Sequence, residues 1–119
     1  MTPPASNLWP RIPGLPKTVE GVEYTDAGNG VIHAKGTATW WSSLGENVTL
    51  QEGEYTLSES VSGDQRNLYA QIVVDGVYHT TAAPEASFHV PAGRYWCSVN
   101  VRNGTTVDAD ITPALTRIG

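Results

Sequence analysis

Leu68-Tyr69-Ala70-Gln71-Ile72-Val73-Val74-Asp75-Gly76-Val77-Tyr78-His79-Thr80-Thr81 is the stretch whose reading decides the fold. In an extended chain Leu68, Ala70, Ile72 and Val74 share one side, while Tyr69, Gln71, Val73 and Asp75 share the other. Asp75-Gly76 tolerates the positive φ that both central residues of a type I′ turn demand, so Val77–Thr81 should return beside Leu68–Asp75. Tyr78 then pairs opposite Val73 and joins the side of Tyr69. A period of two closed by a tight turn means antiparallel sheet.

The same period runs outward in both directions. Upstream, Val31–Trp41 places Ile32, Ala34, Gly36, Ala38 and Trp40 on an expected core face, with Val31, His33, Lys35, Thr37 and Thr39 opposite. Trp41 then points the other way, or the strand ends there. Asn29-Gly30 is a turn dipeptide that follows Val19, Val22 and Tyr24. Val48–Leu50 and Glu54–Ser60 flank Glu52-Gly53; Phe88–Val90 and Arg94–Val101 flank Pro91-Ala92-Gly93. After Asn103-Gly104, Asp108–Ile118 closes the chain. Roughly nine or ten short strands at this spacing indicate an all-β fold, an antiparallel two-sheet jelly-roll-like β-sandwich. The segments from Val48 and from Phe88 echo one another, each ending a turn in Gly (Gly53, Gly93) before x-Tyr-x-apolar-Ser, and are read as two similar hairpins.

At 119 residues the chain is one domain by length, with twelve glycines and eight prolines favouring turns over helices. Five of those prolines fall in residues 1–16 (Pro3, Pro4, Pro10, Pro13, Pro16), which rules out regular helix or central strand there. This segment is read as an irregular Pro-rich N-terminal arm, and residues 17–119 as the β-sandwich domain. A loose terminal tail and an arm docked on this domain or a neighbour are both open readings; Leu8, Trp9 and Ile12 support the second, because disordered tails rarely carry Trp.

A net charge of −5 with seven scattered basic residues (Arg11, Lys17, Lys35, Arg66, Arg94, Arg102, Arg117) argues against nucleic acid as partner. The longest aliphatic run, Ile72-Val73-Val74, is far short of the ~20 apolar residues of a membrane-spanning helix, so no membrane insertion is expected. Met1-Thr2-Pro3-Pro4 lacks the features of a signal peptide.

Catalytic chemistry finds no footing, and no enzyme, cofactor or metal is expected. A G-x-S-x-G elbow is absent. Cys97 shares a face with Tyr95, Val99 and Val101 and reads as a small buried hydrophobe. Asp108 with Asp110, and Glu52 with Glu54, read as solvated carboxylates. His79 and His89 with Glu85 would be needed together for a metal site, and ordinary surface histidines are the favoured reading.

Several motifs, in their order, carry a resemblance. They are Asn7-Leu8-Trp9-Pro10, Gly36-Thr37-Ala38-Thr39, Leu50-Gln51-Glu52-Gly53-Glu54-Tyr55-Thr56-Leu57-Ser58, Val90-Pro91-Ala92-Gly93-Arg94-Tyr95 and Ile111-Thr112-Pro113-Ala114-Leu115. This pattern resembles the small jelly-roll modules of phage tail and minor structural proteins, similar in fold to carbohydrate-binding modules. Thr116 and Arg117 stand where that group often has an acidic residue, and Trp40, Trp41 and Trp96 belong to none of its motifs. The resemblance therefore implies fold and general role, with no binding residue carried over.

The informative feature is a second apolar face. On Arg94–Arg102, Tyr95, Cys97, Val99 and Val101 look inward, while Arg94, Trp96, Ser98, Asn100 and Arg102 look outward. A solvent-facing sheet should alternate to polar residues, yet Tyr69, Tyr78 and Trp96 interrupt it. Surface aromatics favouring strand, subunit contact and a glycan platform all account for this. The candidate ligand or subunit-binding residues are Trp41, Tyr69, Gln71, Tyr78, Trp96, Asn100 and Arg102; the arm contacts are Leu8, Trp9 and Ile12. With the resemblance, these imply a non-enzymatic virion structural protein (tail, fibre or decoration component), assembled in the bacterial cytoplasm and released by lysis. Its expected partners are further copies of itself as a homo-oligomer and other virion proteins. The alternative is a carbohydrate-binding module that recognises a host-surface glycan.

Overall fold

The computed structural model describes residues 7–62 and 67–119, and among these it holds ten strands and no helix. They are β1 (Lys17–Val19), β2 (Val22–Gly28), β3 (Val31–Thr37), β4 (Ser42–Leu50), β5 (Gly53–Val61), β6 (Leu68–Val74), β7 (Val77–Thr80), β8 (Phe88–Val90), β9 (Gly93–Val101) and β10 (Thr106–Arg117). Part of the arm, with Pro3 and Pro4, and Arg66 lie outside the described residues. Every pairing is antiparallel, in a six-stranded sheet of order β1-β2-β3-β10-β5-β8 and a four-stranded sheet of order β4-β9-β6-β7. From β3 onward the chain changes sheet at each connection except β6–β7, which is the jelly-roll path, with β1 and β2 added at one edge. The fold is thus the antiparallel two-sheet β-sandwich that the two-residue period implies.

The expected type I′ hairpin is present: Val74 pairs with Val77, and both Asp75 (φ 50) and Gly76 (φ 80) take positive φ. Leu68, Ala70, Ile72 and Val74 face inward and are buried. Tyr95, Cys97, Val99 and Val101 from β9 meet the same core, joined by Ile111 and Leu115 from β10. Trp40 corrects the reading of the third strand. β3 stops at Thr37, so Trp40 and Trp41 fall in the connection to β4, and both are exposed.

The two echoing segments are not hairpins. β4 and β5 belong to different sheets, as do β8 and β9, so each segment is a corner at which the chain crosses the sandwich. The repeat has a physical cause. Tyr55 donates from its hydroxyl to the Gln51 carbonyl (2.6 Å) and Tyr95 to the Pro91 carbonyl (2.5 Å), each four residues back. A crossing corner turns carbonyls away from both sheet ladders, and a buried carbonyl needs a donor. Gly93 is part of the device, since a Cβ there would stand 3.1 Å from the Tyr95 hydroxyl.

The arm lies on this domain. β3 pairs with β10 only as far as Ile111, whereas β10 runs on to Arg117. Along that free margin Pro113 has no N–H to leave unpaired. The Asn7 side chain stands in for a peptide group, donating to the Pro113 carbonyl (2.9 Å) and accepting from the Leu115 amide (3.0 Å). Leu8 then donates from its backbone to the Leu115 carbonyl (2.7 Å). Ile12 is buried, and Leu8, Trp9 and Leu15 pack against the core.

The inward side of β5 carries one carboxylate. Glu59 shares its side of β5 with Tyr55 and Leu57, and its Oε2 is buried without a partner. Burial pushes its carboxyl above the ordinary value of 4.5, offset in part by the Thr81 hydroxyl and the Ala70 amide across the sandwich. A raised folded value favours the protonated form, so the stability it brings is present in acid and lost as pH rises through the folded value.

Two predictions follow from this packing. Tyr55→Phe and Tyr95→Phe should each lower unfolding free energy by about 1–2 kcal/mol in urea titration, through an orphaned corner carbonyl. Glu59→Gln should raise the melting temperature at pH 7, and that gain should shrink as pH falls below the carboxylate range; calorimetry across pH reads both.

Candidate ligand-binding groove

The register builds three rows of side chains on the outer face of the four-stranded sheet. Ser43, Asn100 and Tyr69 form the first row; Gly45, Ser98, Gln71 and Thr80 the second; Asn47, Trp96, Val73 and Tyr78 the third. An outer face should be wet, yet its centre is dry. Tyr69 is 8% exposed, Asn100 7% and Ser98 0%, although all three point away from the core. The rim over them is aromatic and open, with Trp41 50% exposed, Tyr78 67% and Trp96 41%. Between rim and floor is a groove of about 260 Å³ lined by Trp41, Ser42, Ser43, Tyr69, Gln71, Tyr78 and Asn100.

Each wall has a cause in the local fold. Trp41 sits on an anchored connection: Ala38 donates to the Thr105 carbonyl, Gly104 to the Ala38 carbonyl, and Thr39 to the Glu20 carbonyl, all within 2.9 Å. The next residue, Ser42, donates to the Val19 carbonyl (2.8 Å) and so accepts from the Tyr24 hydroxyl (2.7 Å). That buried chain ties the start of β4 to the opposite sheet, and burial pushes the Tyr24 phenol up to about 12. Tyr78 is held by the hairpin and Tyr69 by pairing opposite Asn100. Trp96 lies across Gly45, where an added Cβ would come within 2.4 Å of the Cys97 carbonyl oxygen and 2.5 Å of the indole. Glycine at 45 therefore lets the ring lie down over its neighbouring strand.

The floor carries the chemistry. Asn100 Oδ1 and Ser98 Oγ are both buried and have no hydrogen-bond partner. A buried polar atom left unpaired costs about 1–3 kcal/mol, so such a pair on a rigid central strand needs an explanation. They are two residues apart on one face, about 7 Å along the strand. None of the residues lining the groove is a carboxylate, histidine or cysteine.

Of the residues singled out from sequence, Trp41, Tyr69, Gln71, Tyr78 and Asn100 converge on the groove. Trp96 lies one row away over Gly45. Arg102 is exposed one step beyond the paired Ser42 and Val101, across from Trp41. Ser43 and Ser98 were missed, since a small hydroxyl on an outer face carries no signal of its own. Tyr69 was placed on the correct face, but its burial beneath the rim was not foreseen.

Other candidate groups stand apart from the groove. His79 bonds Glu85 and stacks on Phe88 at 4.1 Å, while His89 faces Glu54 on the other sheet, so the two histidines do not meet. Asp108 and Asp110 are paired rather than simply solvated, clasping His33 at 2.9 and 2.7 Å. Cys97 is buried on the inward face, and burial pushes its thiol up to about 12. No group of three His, Cys, Asp or Glu residues among the described residues is placed to hold a metal ion. No helix is long and apolar enough to cross a membrane. A larger hollow, about 360 Å³, separates the arm from the β2–β3 turn, and its one aromatic wall is Trp9. The smaller groove is the better candidate, because its polar floor lies on paired strands rather than on loop and arm.

No family model matches the chain, and no curated protein matches it. Among solved structures it is similar to a chain in the crystal structure of accessory secretory protein 1, 2 and 3 of Streptococcus pneumoniae. The TM-score is 0.57 at 12% identity, covering 100% of this chain and 99% of the other. At that identity the likeness shows the fold. It overturns the expectation of a virion structural protein: the motif order that suggested tail, fibre or decoration components belongs to a sandwich whose end-to-end match is a bacterial secretory accessory protein. Jelly-roll corners impose similar turn motifs wherever they occur, which is why those motifs pointed to the fold and misdirected the role.

Proposed function

We propose that this chain is a non-catalytic recognition module that binds carbohydrate in the groove on the outer face of the β4-β9-β6-β7 sheet. The observation that carries this reading is the unpaired Asn100 Oδ1 at the groove floor, under Trp41 and Tyr78. A sugar ring offers hydroxyl donors along its edge and C–H groups on its face. The first satisfies a buried acceptor that has none, and the second stacks on an exposed indole or phenol. Parting of the aromatic rim admits the ring and replaces an unpaired atom with a paired one, so binding relieves a cost present in the free protein. Gln71 and Ser43 add polar groups beside the same floor. The likeness to a chain crystallised with accessory secretory proteins 1, 2 and 3 supports a setting among protein partners in a secretion-related assembly.

A glycan array followed by calorimetry on the strongest hit tests the reading. Wild-type protein should bind. Trp41→Ala should weaken binding by about 2 kcal/mol, near 30-fold in Kd, and Asn100→Ala by about 1 kcal/mol. Gly45→Val should displace both the Trp96 ring and the Cys97 backbone, changing Trp96 fluorescence and lowering the melting temperature. An array on which the wild type captures no carbohydrate, neutral or acidic, overturns the proposal.

A further inference from the structure

The outer faces of the two sheets differ in their carboxylates, while basic residues stand on both. The chain carries twelve Asp and Glu against seven Lys and Arg. On the outer side of the six-stranded sheet, Glu23, Glu54, Asp108 and Asp110 alternate with inward apolar residues. On the outer side of the four-stranded sheet the pattern inverts. Its outward positions on β4 (Ser43, Gly45, Asn47, Thr49), β6 (Tyr69, Gln71, Val73) and β7 (Tyr78, Thr80) hold no carboxylate. The central strand β9 supplies the charge, with Arg94 and Arg102 exposed at its two ends and Trp96, Ser98 and Asn100 between them. The acids nearest this face are Glu46, on the inward side of the edge strand β4, and Asp75, in the β6–β7 turn beyond Val74.

We infer that the groove selects an acidic carbohydrate, with a carboxylate or sulfate of the sugar received by Arg102. This rests on the carbohydrate reading above. Arg102 follows Asn100 by two residues, about 7 Å along the chain, and its backbone lies one step beyond the Ser42–Val101 pair, beside the groove end lined by Trp41, Ser42 and Asn100. Its backbone is pinned there by the Asn67 carbonyl (3.1 Å). No carboxylate of the described residues lies within 4 Å of the Arg102 or Arg94 guanidinium. A planar guanidinium takes a carboxylate or sulfate through two parallel hydrogen bonds, which discriminates against a neutral hydroxyl. In a chain of net charge −5, the lack of carboxylates at the paired outward positions around the site also lessens the repulsion an anionic ligand meets elsewhere.

The test is calorimetry with matched pairs: a uronate-containing oligosaccharide against its carboxyl-reduced form, and a sulfated one against its desulfated form. The acidic member of at least one pair should bind at least 10-fold tighter at low salt, with the advantage shrinking as sodium chloride is added. Arg102→Gln should bring the acidic-to-neutral ratio close to one. Lys17→Gln, which removes the same charge from the other sheet, should leave that ratio unchanged. Neutral members that bind as well as acidic ones, or a ratio that survives Arg102→Gln, overturn the acidic assignment and leave carbohydrate binding standing. Failure of every member of both pairs to bind, together with an empty array, overturns the carbohydrate reading itself.

Discussion

Six of the nine connections between the described strands of this sandwich cross from one sheet to the other, and each crossing turns backbone groups away from the ladders that would satisfy them. Pairing those groups is the constraint on which the rest depends. Tyr55 and Tyr95 meet it at two corners by reaching back four residues. The connection from β3 to β4 meets it by bonding to the turns at Glu20 and at Gly104–Thr105. Where β3 stops short of the end of β10, Pro113 removes one donor and the Asn7 amide fills the remaining places. Each solution uses a side chain or loop that sequence periodicity does not register, and each makes a crossing rigid.

That rigidity is what makes a site of the outer face. Trp41 is displayed beside β4 because the preceding loop is tied on both sides and Ser42 is hooked to Val19 and Tyr24. With the loop held, Trp41 and Tyr78 overhang a floor from which water is excluded, and the amide of Asn100 is left with an unpaired oxygen. A flexible surface would fold a side chain or a water onto that oxygen. In the carbohydrate reading proposed above, that oxygen is the acceptor a ligand hydroxyl would pair.

In the proposed reading, an exposed arginine beside the groove would add selection for an anionic group. Carboxylates on the six-stranded sheet are engaged with histidines, as in the clasp of Asp108 and Asp110 on His33. The four-stranded sheet presents arginine, aromatic and amide groups from one central strand. Aromatic stacking tolerates many rings, a buried acceptor asks for a hydroxyl in one place, and a guanidinium asks for an anion. Trp41 before β4 and Tyr78 on β7 would meet the first demand, Asn100 on β9 the second and Arg102 just beyond β9 the third.

By itself the sequence determined what depends on a period of two. The inward sides of Leu68–Val74 and Arg94–Val101, the Asp75-Gly76 turn and the outward side bearing Tyr69, Gln71, Tyr78, Trp96 and Asn100 are all local properties of an extended chain. Only the tertiary structure decided which sheet each strand joins, because a corner and a hairpin use the same Gly-x-Tyr chemistry, and hence the echo at Val48 and Phe88 was misread as paired strands. It alone decided that Trp40 and Trp41 leave the core, since the strand's end is set by contacts to turns distant in sequence. It also decided that Ser98 and Asn100, polar and outward, are buried. Burial depends on which neighbours lean over a residue, and the neighbours here come from β4, β6 and β7.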